Sequence, residues 1–161
     1  GNIYNDKLPS SSEYPAWGVQ GACFLCNRSK FNMLGGFETL LAPYMLEESD
    51  LAYRGLKRGW KIIYAPDTKP HHKCGGTINS KKNTYSQYLS KRNRILFVWK
   101  NIHSRKMLVS HLLWLLLCPN FKAIRECLRL LPQIKQKRAA ERTAMKVADE
   151  TLFKQSKEWA K

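Results

Sequence analysis

Twelve consecutive residues, Met107 to Cys118, read Met-Leu-Val-Ser-His-Leu-Leu-Trp-Leu-Leu-Leu-Cys and stop at Pro119. A helix that crosses a bilayer needs about 20 apolar residues. The run is too short to do so unaided, and it contains Ser110 and His111. It is also too apolar to stand alone in water. Two outcomes remain: burial against the rest of a domain, or shallow insertion into a membrane interface with Trp114 at headgroup depth. The distribution of charge favours the interface. Residues 81–161 hold 19 Lys and Arg against five Asp and Glu, whereas residues 1–80 hold nine against seven. The second half therefore carries +14 of the net +16, and basic residues flank the apolar run on both sides. Phe121 to Ile134 alternates Lys and Arg with Leu and Ile at helical spacing. Together these segments predict an amphipathic helical hairpin facing an anionic membrane surface. A nucleic acid would suit the same charge, but the chain contains no nucleic-acid reading motif, and none is expected as a partner.

At 161 residues the chain has the size of one ordinary domain. Residues 1–15 read as a loop. Gly21 to Asn27 reads as a short buried strand, and Arg28 to Leu34 as a short helix stopped by Gly35-Gly36. Glu47 to Arg58 reads as a helix ending at Gly59, and Trp60 to Ala65 as a strand ended by Pro66. The first half is thus α/β in style, although two strands cannot make a stable sheet alone. The second half is helical. Thr84 to Lys100 has an apolar side of Tyr85, Tyr88, Leu89, Ile95, Leu96 and Trp99 and a basic opposite face. Residues 135–161 read as a solvated helix or frayed tail. The divisions are 1–80, 81–135 and 136–161. The chain opens without Met, in loop-like sequence, so residues upstream are expected to be absent.

Chemistry is expected first at Glu47-Glu48-Ser49-Asp50, three carboxylates at the start of a helix. Helix N-termini favour negative charge, which explains such clusters without function. Carboxylates held close together also repel, and that raises one pKa and suits a general base. His71-His72-Lys73-Cys74, after the second strand, could contact a metal or a diphosphate. A zinc site from Cys23, Cys26, His72 and Cys74 is a rival. Residues three apart in a strand point to opposite faces, however, so Cys23 and Cys26 are expected as small core residues. With five cysteines and no dense disulfide scaffold, reduced thiols in the cytoplasm are expected.

These segments resemble a family. Gly21-Ala22 to Arg28, Gly35-Gly36-Phe37-Glu38, Glu47-Glu48-Ser49-Asp50-Leu51 to Arg54, Gly59 to Pro66 and His72 follow the order of motifs in family 2 glycosyltransferases of the GT-A fold, of the rhamnosyltransferase-like kind. The likeness covers about residues 17–77 and continues more weakly through Tyr88 and Arg92-Asn93. It implies the C-terminal part of a GT-A fold followed by amphipathic helices. It implies transfer of a sugar, with inversion, from a nucleotide-sugar donor to a glycan or lipid-linked acceptor, in cell-surface polysaccharide or glycan synthesis. Glu48 stands at the place of the catalytic base, Glu47 and Asp50 at the places of the neighbouring acids. Gly35, Gly36 and Phe37 match the acceptor-side loop, and Arg54 would support the acidic helix. His72 matches a histidine that helps hold a divalent metal, Mg or Mn, and the donor diphosphate. The expected location is the cytoplasm, peripheral to the inner face of the cell membrane.

The sequence departs from the family pattern in places. Glu48 replaces an aspartate, and Glu38-Thr39 replaces an Asp-Glu pair. No Asp-x-Asp occurs in the chain, so the nucleotide-binding half is expected to be missing and the chain alone to be inactive. Gln-x-x-Arg-Trp is also absent, which favours transfer of a single sugar. A non-catalytic, membrane-associated protein of the same fold is the alternative, and a basic nucleic-acid-binding module is a further one.

Overall fold

Most helices begin and end where local chemistry satisfies their terminal backbone groups. In the computed structural model, which describes residues 14–66 and 84–159, helix α1 (Arg28–Met33) is capped by Asn27, whose side chain accepts from the Lys30 amide. It stops at Gly35 and Gly36, both at φ +72°, a left-handed conformation that glycine adopts without steric cost. A 3₁₀ turn (Thr39–Leu41) leads to α2 (Glu47–Lys57), which is followed by Gly59 at φ +77°. Then come α3 (Thr84–Asn101) and α4 (Arg105–Leu117), the latter capped by Ser104. Helix α5 (Phe121–Arg129) is capped by Asn120, and α6 (Leu131–Ala144) and α7 (Asp149–Trp159) complete the chain order. The only sheet among the described residues pairs β1 (Tyr14–Pro15) antiparallel with β2 (Ile63–Tyr64), with the Tyr14 and Tyr64 rings stacked 4.8 Å apart.

Helix α3 is the central post. On one side Ile95 and Leu96 meet Leu40 and Leu41 of the 3₁₀ turn, Leu115 of α4, Ala123 and Cys127 of α5 and Ile134 of α6. On the other, Phe97 and Val98 join a second cluster formed by Tyr53 and Leu56 of α2, Ile102 and Leu152 of α7. The result is mostly helical, with a small two-stranded sheet.

Several expectations are corrected. Gly21 to Asn27 is not a buried strand. The Cys23 amide bonds back to the Gln20 carbonyl at 3.1 Å, and Leu25 is fully exposed. A strand holds only when a neighbour takes its N–H and C=O groups, and among the described residues no strand lies beside this stretch. Cys23 and Cys26 are accordingly exposed rather than core residues. The expected loop at Tyr14–Pro15 is instead the partner of a strand shortened to Ile63–Tyr64. Phe121 to Ile134 is divided at Leu130, because Pro132 lacks an N–H and starts a new helix in its first turn. The tail is docked: Asp149 and Leu152 are buried.

The basic face of α3 is only partly solvated. Arg92 and Lys100 turn inward, the latter 2% exposed.

Candidate functional site

The three acids of α2 separate by depth. Asp50 is wholly buried, while Glu47 and Glu48 are half-buried at the helix start. Asp50 Oδ2 accepts from Arg54 Nε at 2.6 Å, one helical turn later. Its Oδ1 accepts from Asn101 Nδ2 at 2.7 Å and faces Lys100 Nζ at 2.7 Å. The repulsion expected of three adjacent carboxylates is thus relieved for one of them by two buried cations.

The same cations organise the glycine loop. Arg54 donates from Nη1 to the Leu34 carbonyl at 2.6 Å and from Nη2 to the Gly36 carbonyl at 2.8 Å. Arg54 therefore ties the acidic helix to Gly35-Gly36, and Phe37 projects beyond, 44% exposed, edge-on to Phe24 and Phe31. Lys100 Nζ also reaches Glu38 Oε2 at 2.9 Å, and Glu38 Oε1 accepts from the Leu40 amide at 3.0 Å and from Lys137 at 2.8 Å. Burial pushes the Glu38 carboxyl up. The Lys100 charge, the Leu40 amide and Lys137 outweigh it and hold the group at about 2.

The turn into α2 has its own support. Met45 and Leu46 lie at φ 84° and 72°, a region costly for residues with a Cβ. Asn93 Nδ2 holds them by donating toward the carbonyls of Leu41 (2.7 Å), Tyr44 (2.9 Å) and Met45 (2.8 Å). Arg92 bonds the Ala42 carbonyl at 2.5 Å and pairs with Glu126 at 3.0 Å. The Arg92-Asn93 likeness noted in the sequence thus falls on the brace behind the acidic helix. Lys100 and Asn101 escaped sequence reasoning. The available signal was the density of carboxylates between Glu38 and Asp50, which demands buried cations.

Glu48 rests against Gly21, where an added Cβ would lie 3.6 Å from its Cδ. Glu47 Oε2 is buried and has no hydrogen-bond partner among the described residues. A groove of about 350 Å³ runs beside this end of α2, lined by Leu46, Ser49, Arg94, Phe97, His111 and Trp114, with Val98. The His111 ring stacks on Trp114 at 5.8 Å, its Nε2 is buried and unbonded, and burial pushes its pKa down, favouring the neutral ring. A larger cleft of about 470 Å³ lies between Tyr14, Trp60 and Val147, and among the described residues no carboxylate or histidine lines it.

His71, His72 and Cys74 lie outside the described residues. Among the described residues no three His, Cys, Asp or Glu side chains gather to hold a metal ion. Asp50, the deepest acid, already has both oxygens engaged.

No family model matches the chain, and no solved structure matches it. Over 75 residues the chain is 37% identical to N-acetylglucosaminyl-diphospho-decaprenol L-rhamnosyltransferase from two strains of Mycobacterium tuberculosis. The match covers 46% of this chain and 24% of each relative, so the chain spans about a quarter of the length of the curated relatives it matches. The similarity is to a glycosyltransferase.

Proposed function

We propose that the chain is the acceptor-side portion of a glycosyltransferase and that Glu48 is its general base. In this reaction the Glu48 carboxylate takes the proton of an acceptor hydroxyl. The hydroxyl oxygen bonds to the anomeric carbon as the bond to the nucleotide diphosphate breaks, with inversion. Glu47 flanks the base. Asp50 is a positioning residue, because its oxygens are already bonded to Arg54 and Asn101. Gly35, Gly36 and Phe37 form the acceptor-side wall, held to α2 by Arg54.

One observation carries this role: Arg54 spans Asp50 and the Gly36 carbonyl, so the acidic helix and the glycine loop form one rigid unit with Glu48 left half-buried beside Gly21. The partial likeness to a rhamnosyltransferase supports the reaction class. That relative's name includes a diphospho-decaprenol acceptor, and a nucleotide-sugar donor with a lipid-linked acceptor is the pair we propose here. A divalent metal would attach through His72 and a donor-binding half. The described residues do not assemble such a site.

The test is Glu48→Gln in the longer parent protein that this role requires. Sugar transfer should fall by about 10²-fold or more, the usual contribution of a general base. Affinity for the nucleotide sugar should stay unchanged. Unaltered turnover would remove Glu48 from the role.

A further inference from the structure

In α4 the usual amphipathic order is inverted. At 3.6 residues per turn, Leu108, His111 and Leu115 share the side turned to the protein, and Leu115 is its buried member. Val109, Leu113, Leu116 and Leu117 share the opposite side, with Leu112 at its edge, and these are 57%, 56%, 77%, 81% and 52% exposed. No charge interrupts that outer face between Met107 and Leu117. Arg105 and Lys106 stand on the same side at its start, both exposed. Exposure continues through Cys118 and Pro119 into α5, where Phe121 (78%) and Leu128 (53%) lie on one face with the exposed Arg125 between them and Arg129 beside them. A contiguous apolar surface of this kind marks an interaction site.

The charges select the partner. From Arg105 to Arg129 there is a single carboxylate, Glu126, and it is taken by Tyr88 (2.6 Å) and Arg92 (3.0 Å). A second copy of the chain would set cation against cation. Among the described residues, Glu38, Asp50, Glu141 and Asp149 are each paired with a cation and are not free to receive this face. An apolar face rimmed by exposed cations fits a layer with anionic headgroups above an acyl interior.

We propose that the outer face of α4, with the first turns of α5, inserts into the headgroup region of an anionic lipid bilayer. Insertion rather than crossing follows from length, because no helix of the described residues is long and apolar enough to span. The inner side of the same helix contributes His111 and Trp114 to the groove beside Ser49. Docking would therefore bring the acidic end of α2 close to the membrane surface. The inference is independent of the sugar-transfer role.

The experiment is co-sedimentation of the 161-residue chain with phosphatidylcholine vesicles, either pure or containing about 30 mol % phosphatidylglycerol, at physiological salt. Two double variants, Leu112→Glu/Leu116→Glu and Arg125→Glu/Arg129→Glu, are compared by partition coefficient, with far-UV circular dichroism reporting their fold. Because the replaced side chains are exposed, both variants should keep the native spectrum, and should one fail to fold the other still decides. Binding to anionic vesicles, weaker by about tenfold or more on neutral ones and in each variant, is the expected result. Absence of binding, equal binding to neutral vesicles, or undiminished binding by a folded variant would each overturn the proposal. So would concentration-dependent self-association that the leucine variant abolishes and vesicles do not compete away.

Discussion

Replacing Arg54 by methionine should loosen the whole acidic corner, and the size of the loss can be worked from its contacts. The residue is 3% exposed, and its side chain makes three short bonds, to Asp50, the Leu34 carbonyl and the Gly36 carbonyl. Removing one member of a buried ion pair costs about 3–5 kcal/mol. Asp50 keeps Lys100 and Asn101, so the low end, about 3 kcal/mol, applies to the charge. The two partly buried carbonyls add about 1 kcal/mol, since water can reach them. The sum, about 4 kcal/mol, is a large share of the roughly 5–15 kcal/mol that holds a domain folded. Urea unfolding followed by circular dichroism should show it directly. A thermal scan should show Tm falling by about 8–16 °C, at roughly 2–4 °C per kcal/mol for a chain of this size. Arg54→Lys should cost about half as much, because an ammonium can keep Asp50 but cannot reach both carbonyls in the plane of the guanidinium. Arg94→Met, at an exposed arginine on α3, serves as the control and should change stability by less than about 0.5 kcal/mol. An Arg54→Met cost below about 1 kcal/mol, or one equal to the control, would refute the idea that Arg54 binds helix and loop into one unit.

Two further outcomes concern the tail and acid. Asp149 Oδ1 accepts from Tyr53 at 2.5 Å and pairs with Lys57, while Oδ2 accepts the amides of His103 (2.6 Å) and Ser104 (2.7 Å). Asp149→Ala should therefore cost about 3–5 kcal/mol and expose the segment ahead of α7 to protease, whereas Glu150→Ala should leave the digestion pattern unchanged. Stability should fall as pH drops from about 4.5 toward about 2, because Glu38 is held at about 2 when folded and its contribution is complete only above its ordinary value of 4.5. His103 and His111, both lowered by burial, add a smaller loss starting below 6.5. In Glu38→Gln the low-pH slope should flatten, and an unchanged slope would exclude Glu38 as its source.

Much of the helical layout was legible locally. The glycines at 35, 36 and 59 and the stop at Pro119 state where helices end within a few residues of chain. The site was legible only in part. Asp50 and Arg54 at i and i+4 announce a pair, but spacing cannot say that Asp50 points inward while Glu48 does not. That distinction is made by Lys100 and Asn101, some fifty residues away on α3. Long-range partners also explain the other failures. The stretch Gly21 to Asn27 has the composition of a strand yet no strand pairs with it among the described residues. The basic tail looks solvated until Asp149 meets Lys57. On α3, Arg92 and Lys100 look like a wet face because a helical wheel does not show the carbonyls and carboxylates that receive them.

The brace at Asn93 differs in kind from the one at Lys100. A carboxamide neither gains nor loses a proton across the range in which proteins survive. Acid strong enough to neutralise Glu38, at about 2, would weaken its hold on the 3₁₀ turn and on Lys100, whereas the clamp on Met45-Leu46 has no proton to gain. The two supports of the acidic helix therefore answer to different perturbations, one to strong acid and the other only to replacement of Asn93.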